Sequence, residues 1–145
     1  MSFTYEYPRP AVAADIILIA DTKPFQQILL IKRKNPPFQH HWALPGGFMN
    51  IDELLHDTAL RELEEETGIK LNKLTFFGIY DKPNRDPRGR TISIVYYAII
   101  SKLIPPQHGD DAEHATWFSL SELPPLAFDH AHVISDFCHS ILTRY

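Results

Sequence analysis

The segment from Gly46 to Ile69, GGFMNIDELLHDTALRELEEETGI, constrains the fold most. Leu55, Ala59 and Leu63 recur every four residues with Leu60 beside them, the spacing of a helix with one core-facing stripe. Glu62, Glu65 and Glu66 stand at i, i+3 and i+4, so they share a face. At about 100° per residue, Glu66 falls between Leu55 and Ala59, and Glu62 just outside Leu55. Asp57 and Glu64 fall on the opposite, solvent side. Like charges one turn apart destabilise a helix by roughly 0.2–0.5 kcal/mol per pair, and an apolar neighbourhood raises the cost of keeping carboxylates ionised. An ordinary acidic helix face would point to solvent instead. A divalent cation relieves the conflict. Mg²⁺ favours hard oxygen ligands, keeps several waters and completes its shell with substrate phosphates.

The pattern extends beyond the helix. Gly47, then Glu53 after five residues, then Arg61-Glu62-Leu63-x-Glu65-Glu66-x-Gly68-Ile69 after seven more resembles the Nudix box at every defined position. The Nudix family hydrolyses nucleoside diphosphates linked to another group. The resemblance implies Mg²⁺, or Mn²⁺ in its stead, held by Glu62, Glu65 and Glu66 with a backbone carbonyl at Gly46 or Gly47. Arg61 would orient the carboxylates, and Glu53 would serve as a further outer ligand or helper. Family members differ over the general base: Glu62 within the box and the distant Glu113 are the two candidates here.

At 145 residues, with 44% hydrophobic and 22% charged, the chain is expected to form one soluble domain over 1–145. A net charge of −4 argues against a general nucleic-acid binder. No apolar run reaches the ~18 residues of a membrane span. The single cysteine, Cys138, cannot pair within the chain, and the N-terminus lacks a basic-then-apolar signal pattern. A cytoplasmic setting is the expectation.

Residues 1–10 read as an extended aromatic arm, with Tyr5 and Tyr7 suited to an edge strand or to a partner subunit; a homodimer is expected. Ala11–Ala20 and Gln27–Lys32 read as buried strands forming a hairpin. Arg33–Trp42 is a loop denied regular structure by Pro36-Pro37; its Phe38 and Trp42 suit either core packing or a purine-stacking wall. The adjacent His40 and His41 fit a metal pair poorly. Ala43-Leu44-Pro45 enters the glycine pair as a short strand. Asn50 or Asp52 is placed to cap the helix, Asn50-x-x-Glu53 having capping-box spacing, and Gly68 to end it. Leu74–Tyr80, Thr91–Ile100 and Ala115–Leu120 read as strands, Pro105–Asp111 as a polar loop and Ala131–Thr143 as a final helix with Val133, Ile134, Phe137 and Ile141 inward. The charged loop Asp81–Arg90 carries Arg85 and Arg88, whose forks suit phosphate or carboxylate oxygens. Paired strands with two late helices indicate α+β with a mixed sheet; the family resemblance sharpens this to the Nudix α/β/α sandwich with a catalytic loop–helix–loop.

Four further segments, Trp42–Phe48, Asp86–Arg90, Gly109–Ala112 and Leu123–His130, look like the bacterial ADP-ribose pyrophosphatase branch. That resemblance implies a small nucleoside diphosphate substrate, ADP-ribose, cleaved to AMP and ribose 5-phosphate. Arg33, Arg85 and Arg88 would contact phosphate or ribose, with Gly47 close to the substrate. Phe128 and His130 would line the adenosine end or pack the last helix. The alternatives are a Nudix hydrolase of a nucleoside triphosphate or nucleotide sugar, and a non-catalytic ADP-ribose-sensing domain.

Overall fold

The apolar run in the first strand is continuous because both of its faces are covered. In the computed structural model, which describes residues 2–109 and 112–144 (the side chain of Arg144 excepted), β1 spans Ala11–Asp21. Its even-numbered Ala14, Ile16 and Leu18 pack under the glutamate helix α1 (Leu55–Thr67), with Leu29, Ala59 and Leu63. Its odd-numbered Ile17 and Ile19 pack under α2 (His130–Ser140), with Ile28, Leu30, Val95, Val133 and Phe137. The period-two alternation of a strand thus feeds two cores at once, and the result is the expected α/β/α sandwich.

The remaining strands are β2 (Gln26–Arg33), β3 (Trp42–Ala43), β4 (Gly46–Phe48), β5 (Thr75–Tyr80), β6 (Thr91–Ile100) and β7 (Ala112–Ser119). The sheet is mixed. β1 runs parallel to β6 from Ala11↔Thr91 to Ala20↔Ile100, and the other pairings are antiparallel. The other edge of β1 is divided. Ile19–Asp21 pair with β2, whereas Ala13–Asp15 pair with β4. β2 meanwhile bonds to β7 along its length and to β3 near its end. β1 and β2 therefore part after a short hairpin and leave a fork between them.

Several boundaries differ from expectation. α1 starts at Leu55, with Leu54 in the capping position and no side-chain cap. Asn50 and Glu53 instead close a turn ahead of it: the Glu53 N–H donates to the Asn50 carbonyl (3.1 Å) and the Asn50 N–H to Glu53 Oε1 (3.2 Å). Gly68 ends α1 in the left-handed region (φ 73°), its N–H bonded to the Glu64 carbonyl. β7 begins at Ala112 rather than Ala115, because Lys32 and Arg33 of β2 give His114 and Ala112 ladder partners across a bulge. The last helix stops at Ser140 and tightens into a 3₁₀ turn at Leu142–Arg144. Within the polar loop of 105–111, Asp110 and Asp111 lie outside the described residues.

Candidate active site

The fork between β1 and β2 opens into a cavity of about 350 Å³. Glu62 and Glu66 line it from α1, Gly46 and Gly47 from β4, Arg33 from the end of β2, and Arg85, Arg88 and Phe128 from two loops. Eight residues singled out in the sequence thus meet at one place, brought there from five segments.

The wall of α1 is built tightly. A Cβ on Gly47 would lie 2.4–2.6 Å from the carboxylate atoms of Glu62, closer than real Cβ contacts come. Only glycine lets β4 lie this close to the helix. The Gly46 N–H donates to Glu66 Oε2 (3.3 Å), tying the second carboxylate to the same strand.

Behind this wall Arg61 organises the acidic side chains. Its Nε and Nη2 grip both oxygens of Glu53 (2.7 and 2.9 Å), and its Nη1 reaches Glu62 (2.8 Å) and Glu65 (3.2 Å). Nη2 also donates to the Phe48 carbonyl (3.1 Å). The fork from Arg61, with help from the Thr58 hydroxyl and the Asn50 N–H, holds the Glu53 carboxyl down at about 2 despite partial burial. The same hydrogen bonds raise the Arg61 guanidinium above its ordinary value. Glu53 is therefore a fixed counter-charge for Arg61, and it does not face the cavity. Glu65 does not face it either: its side chain is 58% exposed.

Opposite the glutamates stand cations and rings. Phe128 (φ 53°) holds its ring 5.0 Å from that of Phe38 (φ 58°), and the Arg33 and Arg88 guanidinia lie over it at 4.9 and 5.3 Å. Burial, together with the charge of Arg88, lowers the proton affinity of Arg33. Burial also pushes the Asp86 carboxyl up, but the Arg88 fork (2.8–3.3 Å) and the Arg88 N–H outweigh it, and Asp86 titrates below its usual value. Arg85 is already committed. Its fork takes both oxygens of Asp129 (3.0 and 2.7 Å) with its side chain only 4% exposed, so it fixes the loop before α2.

Glu113 stands apart from the cavity. It sits beside the bulge of β7, bonded to His40 Nδ1 (3.1 Å) and near Lys32 (3.8 Å); the hydrogen bond from His40 lowers its proton affinity. Trp42 packs edge-on against Phe118 (4.7 Å) as core, while Phe38 remains 36% exposed beside Phe128. Sequence reasoning missed Asp15 and Ser93, which are buried together behind the glycines. A lone aspartate inside AVAADIILIA was the available signal.

Among the described residues no three histidine, cysteine, aspartate or glutamate side chains form a ready-made metal cage. The donor set nevertheless fits a hard cation. Two carboxylates face the cavity against glycine backbone, which suits an ion that keeps waters and draws its other ligands from phosphate.

Fold and cavity together define a class: an α/β/α sandwich whose carboxylate-bearing helix faces an arginine-rich cavity across a split sheet. The chain belongs to the NUDIX family of hydrolases, whose domain matches residues 9–137. It is 46% identical over 132 residues to the ADP-ribose pyrophosphatase of Methanocaldococcus jannaschii, covering 90% of this chain and 75% of that one. Its fold superposes on the NUDIX domain of Shewanella oneidensis NrtR complexed with ADP ribose (TM-score 0.85, 29% identity, 92% and 89% of the two chains). It also superposes on a bifunctional NMN adenylyltransferase/ADP ribose pyrophosphatase of Francisella tularensis complexed with AMP and a manganese ion (TM-score 0.84, 30% identity, 93% and 43%).

Proposed function

We propose that this protein hydrolyses the diphosphate bond of ADP-ribose, giving AMP and ribose 5-phosphate. The observation that carries this reading is the single cavity in which Glu62 and Glu66 face Arg33, Arg88 and Phe128. One wall suits a divalent cation and the other suits phosphate oxygens and an aromatic base. The relatives named for ADP-ribose support the choice of substrate.

Mg²⁺, or Mn²⁺ as in the Francisella protein, would be held by Glu62 and Glu66 with a carbonyl of the Gly46-Gly47 pair, and by Glu65 were it to release Arg61. The ion supplies neutralisation of the diphosphate and a lowered pKa for attacking water. Arg61, itself fixed by Glu53, holds the Glu62 carboxylate at the cavity wall before substrate arrives. Arg33 and Arg88 bind the diphosphate oxygens, and the Phe128 ring packs beside the base. Glu62 takes the proton of the attacking water, since it faces the cavity and Glu113 does not. Arg85 acts at one remove, through Asp129 and the loop that carries Phe128.

The experiment is product analysis with Mg²⁺ on ADP-ribose, nucleoside triphosphates and nucleotide sugars. Release of AMP and ribose 5-phosphate, fastest from ADP-ribose, is expected. Faster turnover of a nucleoside triphosphate would overturn the substrate, and tight ADP-ribose binding without turnover would leave a sensor. No helix among the described residues is long and apolar enough to cross a membrane. The half-buried lone Cys138 suits a cytoplasmic setting. The exposed Phe3, Tyr5 and Tyr7 suit burial against a second copy, so the working form is a homodimer; the net charge of −4 argues against nucleic acid as a partner. Light scattering gives the mass directly.

A further inference from the structure

Polar side chains are buried at the back of the cavity where apolar ones would cost less. Asp15 is 9% exposed, His130 4% and Ser93 fully buried. The Ser93 hydroxyl donates to Asp15 Oδ2 in a short hydrogen bond. The Leu44 N–H donates to His130 Nδ1 (3.0 Å), which leaves the proton of the neutral ring on Nε2. Burial outweighs the nearby Asp15 charge and favours that neutral form. Nε2 lies 3.8 Å from Asp15 Oδ2, beyond hydrogen-bond reach, and both residues line the cavity.

A fixed N–H donor and a fixed carboxylate acceptor therefore stand side by side, facing the same space. Few groups satisfy both. A carbonyl would bring the carboxylate no proton beyond the one from Ser93, an ammonium would oppose the N–H, and a phosphate would be repelled by Asp15. An alcohol meets both, since its oxygen accepts from Nε2–H while its proton goes to the carboxylate. The position within the cavity matches. Asp15 pairs with Gly46 in the β1–β4 ladder, next to the wall that carries Glu62 and Glu66.

We propose that Asp15 and His130 form a hydroxyl-reading subsite, in which one ribose hydroxyl of the substrate bridges His130 Nε2 and the Asp15 carboxylate. This rests on the assignment of the cavity to ADP-ribose. It makes the pair a determinant of specificity, since an analogue that lacks the hydroxyl leaves the Nε2–H without that acceptor and Asp15 with the Ser93 hydroxyl alone.

The test uses ADP-ribose analogues that each lack one hydroxyl, on the adenosine ribose or on the distal ribose. Dissociation constants are measured by calorimetry in EDTA, and kcat/KM is measured separately with Mg²⁺. One deoxy analogue should lose roughly 100-fold in either measure, the cost of one buried donor left unsatisfied, while the others stay within about tenfold; the one that loses identifies which ribose is read. In Asp15→Asn and His130→Phe, the gap between ADP-ribose and that analogue should close. Because a buried variant can fail to fold, the analogue series on the unaltered protein decides the matter by itself. Equal binding and turnover of all analogues would overturn the subsite and make the pair purely structural. Discrimination in binding without hydrolysis would overturn the hydrolase reading and keep the subsite. Absence of both binding and turnover would overturn both.

Discussion

Gly47→Ala should cut activity sharply and leave the fold standing. The added Cβ would sit 2.4 Å from the Glu62 carboxyl carbon and 2.5–2.6 Å from its oxygens, against a floor of 3.0 Å for real Cβ contacts. The methyl group therefore forces the carboxylate to move by at least about 0.6 Å, and a misplacement near 1 Å costs about 100-fold in a positioned site. The clash is with the far end of a side chain, so the backbone need not move, and Ala removes a little entropy from the unfolded chain. The expected outcome is a kcat/KM for ADP-ribose lower by about 30- to 100-fold, with a melting temperature within about 4 °C of the parent. Gly46→Ala is the contrasting control. Its Cβ would meet the Ala14 carbonyl at 2.4 Å and the Asp15 Cα at 2.8 Å, both backbone, so this variant should lose stability first. Full activity in Gly47→Ala, measured on folded protein by circular dichroism and product release, would refute the reasoning. It would mean that the place of Glu62 against β4 does not matter to turnover.

Glu66→Gln keeps the shape that meets the Gly46 N–H but loses charge; it should fold and lose at least about 100-fold in kcat, and near-parental turnover would end the cation assignment. EDTA should stop hydrolysis, with Mg²⁺ or Mn²⁺ restoring it in a coupled phosphate assay. Arg85→Met should act first on stability, because it strands Asp129: about 3 kcal/mol, or a melting temperature lower by roughly 6–12 °C, with KM raised through the loosened loop that carries Phe128. Glu53 titrates at about 2 in the folded protein against an ordinary 4.5, so the stability it contributes is complete above that ordinary value and fades as pH falls from about 4.5 towards 2. Urea midpoints between pH 6 and 3 should fall less steeply in Arg61→Gln, where Glu53 loses the partner that lowers it.

The sequence made the two cores legible for a definite reason. A continuous apolar strand and two amphipathic helices have periods that survive any tertiary arrangement, so β1, β2, β6 and the inward residues Val133, Ile134 and Phe137 stand where periodicity puts them. The Arg61–Glu65 contact follows from i, i+4 spacing in the same way. What spacing does not carry is competition among long-range partners. Arg85, Arg88 and Arg33 look equivalent as residue types, yet Asp129 takes the fork of Arg85 and Asp86 that of Arg88, while Arg33 and Arg88 keep their guanidinia over the Phe128 ring at the cavity. Glu113 and His40 meet across 73 residues of chain, and no local pattern announces that.

Asp15 shows the limit most clearly. In the sequence it interrupts an apolar run, and periodicity assigns it to the strand as one more buried position. The fold turns that position to a different use. β1 gives its edge to β2 at one end and to β4 at the other, so the residue at the point of divergence faces the fork. A carboxylate there is retained because Ser93 and a ligand-facing histidine surround it, and they come from β6 and the start of α2. The split of the sheet is thus what converts a core position into a site position. The same split admits Gly46 and Gly47 beside α1, so the floor that reads a hydroxyl and the wall that carries Glu62 and Glu66 share one strand register. A change that slipped the Asp15↔Gly46 pairing by one residue would turn Asp15 towards the opposite face and disable both together.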